Sequence, residues 1–240
     1  MATFVLVHGA MHGGWCWRDV QRIMRDEGHE VFTPTLTGQG ERAHLLTPET
    51  SVDTHVDDIV NVLRYEDLSD VNLVFHSYSG GLIGPVVDRA RERVRSVTAI
   101  GAFLVPSGMS NYDMQPKASQ QMYEQMAAEF DGWRIPVAPA MLERWGITDP
   151  QLASLLMQRL TPFSINFTRG RVEYDEAVLA ALPRTYIEHT SPPLPPLERS
   201  VQWARDHDWR MLSMEIGHDM MLIDPEATAR ILVEAALPST

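Results

Sequence analysis

The stretch VNLVFHSYSGG, residues 71–81, decides the fold. Val71 to Phe75 reads as a strand, short and apolar enough to be buried on both faces. A tight turn follows, and Gly80 opens a helix that the spacing carries to Arg93. A strand that runs directly into such a turn pushes one side chain out at the carboxyl edge of the sheet. The small–x–Ser–x–small pattern of these turns exists because neighbouring chains pack against them. Two frames compete. Phe75–His76–Ser77–Tyr78–Ser79 centres on Ser77 but puts phenylalanine in the first small position; Ser77–Tyr78–Ser79–Gly80–Gly81 satisfies the size rule and centres on Ser79. Strand length favours Ser77, because Ser79 falls inside the helix. The alternative reading is a serine that only caps the helix.

Outward from this stretch, strands alternate with helices. Thr3 to His8 is a first apolar strand. Trp17 to Glu27 is a helix with Val20, Ile23 and Met24 on one face and Gly28 just past its end. Glu30 to Thr33 is a second strand. Val52, Val56, Ile59 and Leu63 make one stripe of a helix that Ser51 or Asp53 can cap. Ser96 to Leu104 reads as a fourth strand. Residues 107–183 break the rhythm with helical patterns, prolines and about half the methionines, but no strand–helix alternation. Alternation returns with TYIEHT from Thr185, a helix through Trp203, a last strand Arg210 to Ile216 and a final helix with Asp224 as N-cap and Pro225 at its first position. The pattern predicts an α/β fold with a mostly parallel sheet and helices on both faces. It also predicts a core of residues 1–106 and 184–240, with 107–183 inserted as a helical cap.

Composition narrows the function classes. The net charge of −12 disfavours nucleic acid or an anionic membrane as partner, because the long-range field repels phosphate. The single cysteine, Cys16, forms no internal disulfide. The N-terminus has no basic region before its five-residue apolar run, and no stretch approaches the ~20 apolar residues that span a bilayer. A cytoplasmic monomer or homodimer acting on a small molecule is the expectation.

Two more segments carry chemistry. HGAMHGGW, residues 8–15, lies directly after the first strand. An attacking serine generates an oxyanion that backbone N–H groups must stabilise, and glycines let the chain come close enough to donate them. The donors expected by geometry are the amides of Ala10 and Tyr78, the latter just after the nucleophile. A glycine-rich turn with no ligand is the bland alternative. GHDMM, residues 217–221, follows the last strand and makes His218 the candidate general base. His12 is expected to support the oxyanion turn and His76 to pack inside the elbow. The nine histidines show no HExxH and no ligand-spaced cluster, so neither metal nor cofactor is expected. Ser79–x–Gly81–x–x–Gly84 is a damaged dinucleotide fingerprint in the wrong place, and it is set aside.

Over essentially its whole length the chain resembles the α/β-hydrolase superfamily. It is most similar to the branch of bacterial carboxylesterases, plant methylesterases and plant hydroxynitrile lyases, on FVLVHGAMHGGWCW (4–17), HSYSGG (76–81), PRTYIE (183–188) and GHDMMLIDP (217–225). The resemblance implies a serine hydrolase with Ser77 and His218 in the triad. The triad acid does not follow. In this branch it sits after the strand corresponding to TYIEHT, where this chain has Thr190–Ser191–Pro192–Pro193, or near the end of the preceding strand, where Gly101 stands. Glu188 and Glu215 are the nearest carboxylates, and neither is persuasive. Hydroxynitrile lyases have threonine at the place of Gly9 and lysine at the place of Asp219, which argues against cyanohydrin cleavage. Three readings follow: a Ser–His enzyme with a missing or unconventional acid acting on an ester, thioester or lactone, a lyase or decarboxylase, and a ligand-binding protein on the same scaffold. Met109, Met114, Met122, Met126, Met141, Met157, Trp133, Trp145, Phe163 and Phe167 either line an apolar pocket under the cap or form its ordinary core.

Overall fold

A computed structural model describes residues 1–237. The strands are β1 (Thr3–Val7), β2 (Glu30–Phe32), β3 (Val71–His76), β4 (Val94–Ile100), β5 (Arg134–Ile135), β6 (Phe163–Ser164), β7 (Arg184–His189) and β8 (Arg210–Met214). Six of them form one sheet in the order β2-β1-β3-β4-β7-β8. Every pairing in it is parallel.

The central strands are apolar on both faces because both faces are covered. Val5 and Val7 of β1 join one core cluster, with Leu73, Phe75 and the helix Val52–Tyr65. Phe4 and Leu6 join the other, with Val74, Ile187 and the helices Arg18–Asp26 and Pro225–Ala235. Each fully buried aliphatic side chain contributes roughly 1.5–3 kcal/mol, so these short strands are held by cover rather than by strand propensity. The expected caps are present: Ser51 accepts from the Thr54 N–H and Asp224 from the Ala227 N–H, and Gly28 lies at φ +86°.

Three expectations shift. β4 starts at Val94 and stops at Ile100, short of Leu104, because Gly101 takes φ +50° and turns the chain out of the sheet. Tyr186 Oη then donates to the Ala102 carbonyl and holds the exit. The helix expected from Gly80 begins as a 3-10 turn, Ser77–Leu82, and becomes α-helical only over Ile83–Ala90. Between β4 and β7 the chain makes six short helices, and also an antiparallel pair, β5 with β6, registered Arg134 to Ser164 and Ile135 to Phe163. Two residues per strand are too few to leave a period-two signal.

The order β2-β1-β3 reverses the direction of winding between β1 and β3, so the loops after these strands diverge and open a crevice at their carboxyl ends. The segments flagged in the sequence, 8–15 and 76–81, are those two loops.

Candidate functional site

Ser77 follows β3 without a spacer and sits at φ +56°, in the left-handed region that costs a non-glycine residue about 1–2 kcal/mol. The turn is held from several sides. The Phe103 N–H donates to the Ser77 carbonyl, and Ser79 Oγ donates to the carbonyls of His76 and Val7 at 2.9 and 3.3 Å. Ser79 is therefore fully buried and spent on backbone, while Ser77 is the half-buried hydroxyl of the two. Gly9 is pressed against this turn: a Cβ there would stand 2.8 Å from Ser77 Cβ and 2.9 Å from His76 Nδ1. Only glycine lets the loop after β1 approach so closely.

His218 comes from the loop after β8, and Ser77 Oγ donates to its Nε2 at 2.9 Å. The structure thus brings together two residues 141 positions apart. Burial lowers the His218 pKa well below 6.5, and the neighbouring imidazoles of His76, His189 and His12 push in the same direction. At neutral pH the ring is uncharged and able to accept a proton. Ala10 and Tyr78 line the same cavity as Ser77 and His218. Tyr78 is anchored by Asn111, whose Nδ2 donates to its carbonyl, and its hydroxyl lies 3.0 Å from His55 Nδ1. His12 Nδ1 donates to the Ala10 carbonyl at 2.8 Å, as expected of a group supporting that turn. His76 is buried inside the elbow, where its Nε2 donates to the His218 carbonyl at 3.1 Å.

No carboxylate reaches His218 Nδ1, which has no hydrogen-bond partner among the described residues. Glu188 pairs with Arg205 at 2.8 Å on the outer side, and Glu215 is exposed. Pro192 packs against Gly146. Gly101 marks the place an acid would need: a Cβ there would lie 3.3 Å from His218 Nδ1, but also 2.9 Å from His189 Nδ1. His189 fills the space that a longer side chain at 101 would take.

The carboxylate that sequence reasoning missed is Asp219. It is the one fully buried acid among the described residues, and it lies 3.3 Å from His12 Nε2 and 4.0 Å from His76 Nε2. Burial, the largest single cause, would raise its pKa, yet the charge and hydrogen-bonding of His12 together with His76 and His189 hold it below the usual value; His12 is raised in return by Asp219. A charged residue set against the apolar run Met220–Ile223 was the available signal. One ring nitrogen each of His76 and His218 and one Asp219 oxygen lie within 4.8 Å of one another.

The cavity above Ser77 has a volume of about 150 Å³, the size at which an apolar cavity accepts a benzene-sized guest. Met122, Met126, Met141, Trp145 and Phe163 line it, as one of the two sequence readings holds. Met109, Met114, Met157, Trp133 and Phe167 do not; Met114 and Phe167 are buried core and Met157 is exposed. Asn111, Gln115, Tyr123 and Arg144 also line the cavity. Nothing in their local sequence marks them, since the packing of the 107–183 segment alone puts them there.

A sequence profile described as the alpha/beta hydrolase family matches residues 4–237. A carbendazim hydrolyzing esterase from Nocardioides sp. is 45% identical over 132 residues, 55% of this chain and 53% of that protein. Methyl jasmonate esterase 1 of Vitis vinifera is 28% identical over 102 residues, 42% of this chain and 39% of that protein. The matched region thus spans about half or less of these relatives' length. An extracellular alpha/beta-hydrolase from a Paenibacillus species superposes with a TM-score of 0.85 at 21% identity, covering 98% of this chain and 99% of its own.

Proposed function

This chain is a member of the alpha/beta hydrolase family, and from that premise we propose that it hydrolyses a small apolar or aromatic carboxylic ester, thioester or lactone, with Ser77 as nucleophile and His218 as base. The observation that carries the reading is the 2.9 Å contact between Ser77 Oγ and His218 Nε2 at the floor of an apolar cavity. In acylation the Ser77 oxygen attacks the carbonyl carbon, its proton passes to Nε2, and the carbonyl electrons move to oxygen, facing the amides of Ala10 and Tyr78. His218 then returns the proton to the leaving group. Water repeats the sequence in reverse and frees the acid.

The segment 107–183 acts in this reading as a cap. It contributes Met122, Met126, Met141, Trp145 and Phe163 to the cavity, so it sets the shape of the acyl or alkoxy group admitted. Esterase names among the relatives support ester hydrolysis, and carbendazim belongs among the first substrates to try because the Nocardioides relative is named for it.

The test is turnover of p-nitrophenyl esters of graded acyl size, aromatic methyl esters and carbendazim by the wild type, Ser77→Ala and His218→Ala. The expected result is turnover of at least one class that falls about 10³-fold or more in both variants. Turnover that survives Ser77→Ala would remove Ser77 from the chemistry and favour a lyase-type or binding role.

A further inference from the structure

We propose that Asp219 supplies the negative charge of this site, as a positioning residue that stabilises the His218 imidazolium through space from within a cluster of buried imidazoles, with His12 holding the compensating proton at rest. The proposal rests on the Ser77–His218 reading and concerns the acid which that reading lacks.

The geometry leads to it in three steps. First, the site contains one buried carboxylate and four buried imidazoles, those of His12, His76, His189 and His218. Ring centroids of His76 and His189 lie 4.6 and 4.8 Å from that of His218, and the His12 ring lies 6.2 Å from that of His76. One carboxylate in a water-poor interior balances one positive charge, so the cluster holds one extra proton comfortably and a second only at considerable cost. Second, at rest that proton belongs to His12. Its Nδ1 donates to the Ala10 carbonyl, so a neutral ring would present a bare Nε2 lone pair to the Asp219 oxygen 3.3 Å away. The carboxylate charge at that distance favours a proton on Nε2, so in the proposed resting state the ring is imidazolium. Third, Asp219 adjoins His218 in the chain, and one of its oxygens lies within 4.8 Å of a His218 ring nitrogen. When Ser77 transfers its proton to His218, Asp219 faces that new imidazolium as well as His12, and the substrate oxyanion formed in the same step supplies the second negative charge.

Both partners occupy mechanical positions as well as electrical ones. His12 braces the Ala10 turn through that carbonyl, and it is stacked on Trp15 with ring centroids 5.7 Å apart. The Asp219–His12 contact thereby ties the loop after β8, which carries the base, to the loop after β1, which carries the Ala10 amide. The titratable groups facing this pair from the surrounding elements are His8 at the end of β1, Cys16 in the turn after the first loop, whose thiol burial keeps protonated, His76 at the end of β3, His189 at the end of β7, and His218 itself.

The charge model makes predictions of opposite sign for the two partners. Removing the anion with Asp219→Asn should lower the acid-limb pKa of kcat/KM, and kcat should fall with it because the imidazolium loses its counter-charge. Removing the competing cation with His12→Gln should raise that same pKa. Shifts of about one unit or more in each direction are expected at these separations. A purely structural role would reduce activity in both variants and leave the limb where it was.

The experiment is the pH–rate profile of kcat/KM on a p-nitrophenyl ester for the wild type, Asp219→Asn and His12→Gln, with fluorophosphonate labelling of each. Should a variant fail to fold, the ¹⁵N imidazole spectrum of the wild type answers the same question, with both His12 ring nitrogens protonated at neutral pH. Opposite shifts, or that spectrum, support the proposal. Limbs that do not move, limbs that move together, or a neutral His12 overturn it. A wild type that takes no adduct overturns the nucleophile reading first and this one with it.

Discussion

Replacing Ser77 with glycine should make the protein more stable than replacing it with alanine, although both abolish the nucleophile. Ser77 sits at φ +56°, and a Cβ in that region costs about 1–2 kcal/mol. Alanine keeps the Cβ and the strain; glycine relieves it. Both lose the 2.9 Å contact to His218 equally, so that loss cancels in the comparison. Glycine also enlarges the conformational freedom of the unfolded chain, which takes back about 0.4–1 kcal/mol. The difference left is about 1 kcal/mol in favour of Ser77→Gly, or roughly 2–4 °C in Tm for a chain of this size. The assay is urea unfolding of the two variants side by side, read as the difference in midpoint at a common slope. Ser77→Ala equal to or more stable than Ser77→Gly would mean that the elbow is not strained, and the reason for placing the nucleophile there would fail.

Acid should unfold the protein steeply. Burial, the largest cause in each case, lowers the pKa of His8 to about 3 and those of His55, His76 and His189 to about 4, against 6.5 when unfolded. Between those values the unfolded chain binds protons that the folded one does not. Stability is therefore full above pH 6.5 and falls as the pH drops, by about 1.4 kcal/mol per pH unit for each histidine; denaturant unfolding between pH 7.5 and 4.5 measures the slope, and a flat profile contradicts it. Catalysis, in contrast, should persist below pH 6.5, because the His218 pKa is lowered too; a kcat/KM limb at or above 6.5 would refute that. Gly101→Asp combined with His189→Ala should set a carboxylate against His218 Nδ1 and raise kcat/KM about tenfold or more over His189→Ala alone, and no gain would show that Nδ1 is not what limits the base. Met126→Trp should fill the cavity and raise KM for aromatic esters while leaving acetate turnover nearly unchanged; an equal effect on both would displace the cavity from substrate binding.

The parts of the fold legible in the sequence were those with local causes. β1 and β3 are continuous apolar runs because helices cover both faces, and Ser51, Gly28 and Asp224 punctuate helices by their own hydrogen bonds or backbone freedom. The places of Ser77 at the end of β3 and of His218 after β8 were legible because each lies just past a strand end. The rest depends on the assembled molecule. β4 ends at Ile100 because Gly101 turns left-handed, which no propensity announces. Asn111, Gln115 and Arg144 line the cavity through the packing of the assembled chain, which no local pattern announces. Asp219 was passed over because an acid is ordinarily sought at the imidazole Nδ1, and here the carboxylate sits against His12.

The central claim, an activated Ser77, is tested most directly by intact mass and peptide mapping after incubation with a fluorophosphonate. The account predicts one adduct per chain, located on Ser77, abolished in Ser77→Ala and strongly slowed in His218→Ala. No adduct on the folded wild type, or an adduct that persists in Ser77→Ala, would contradict it.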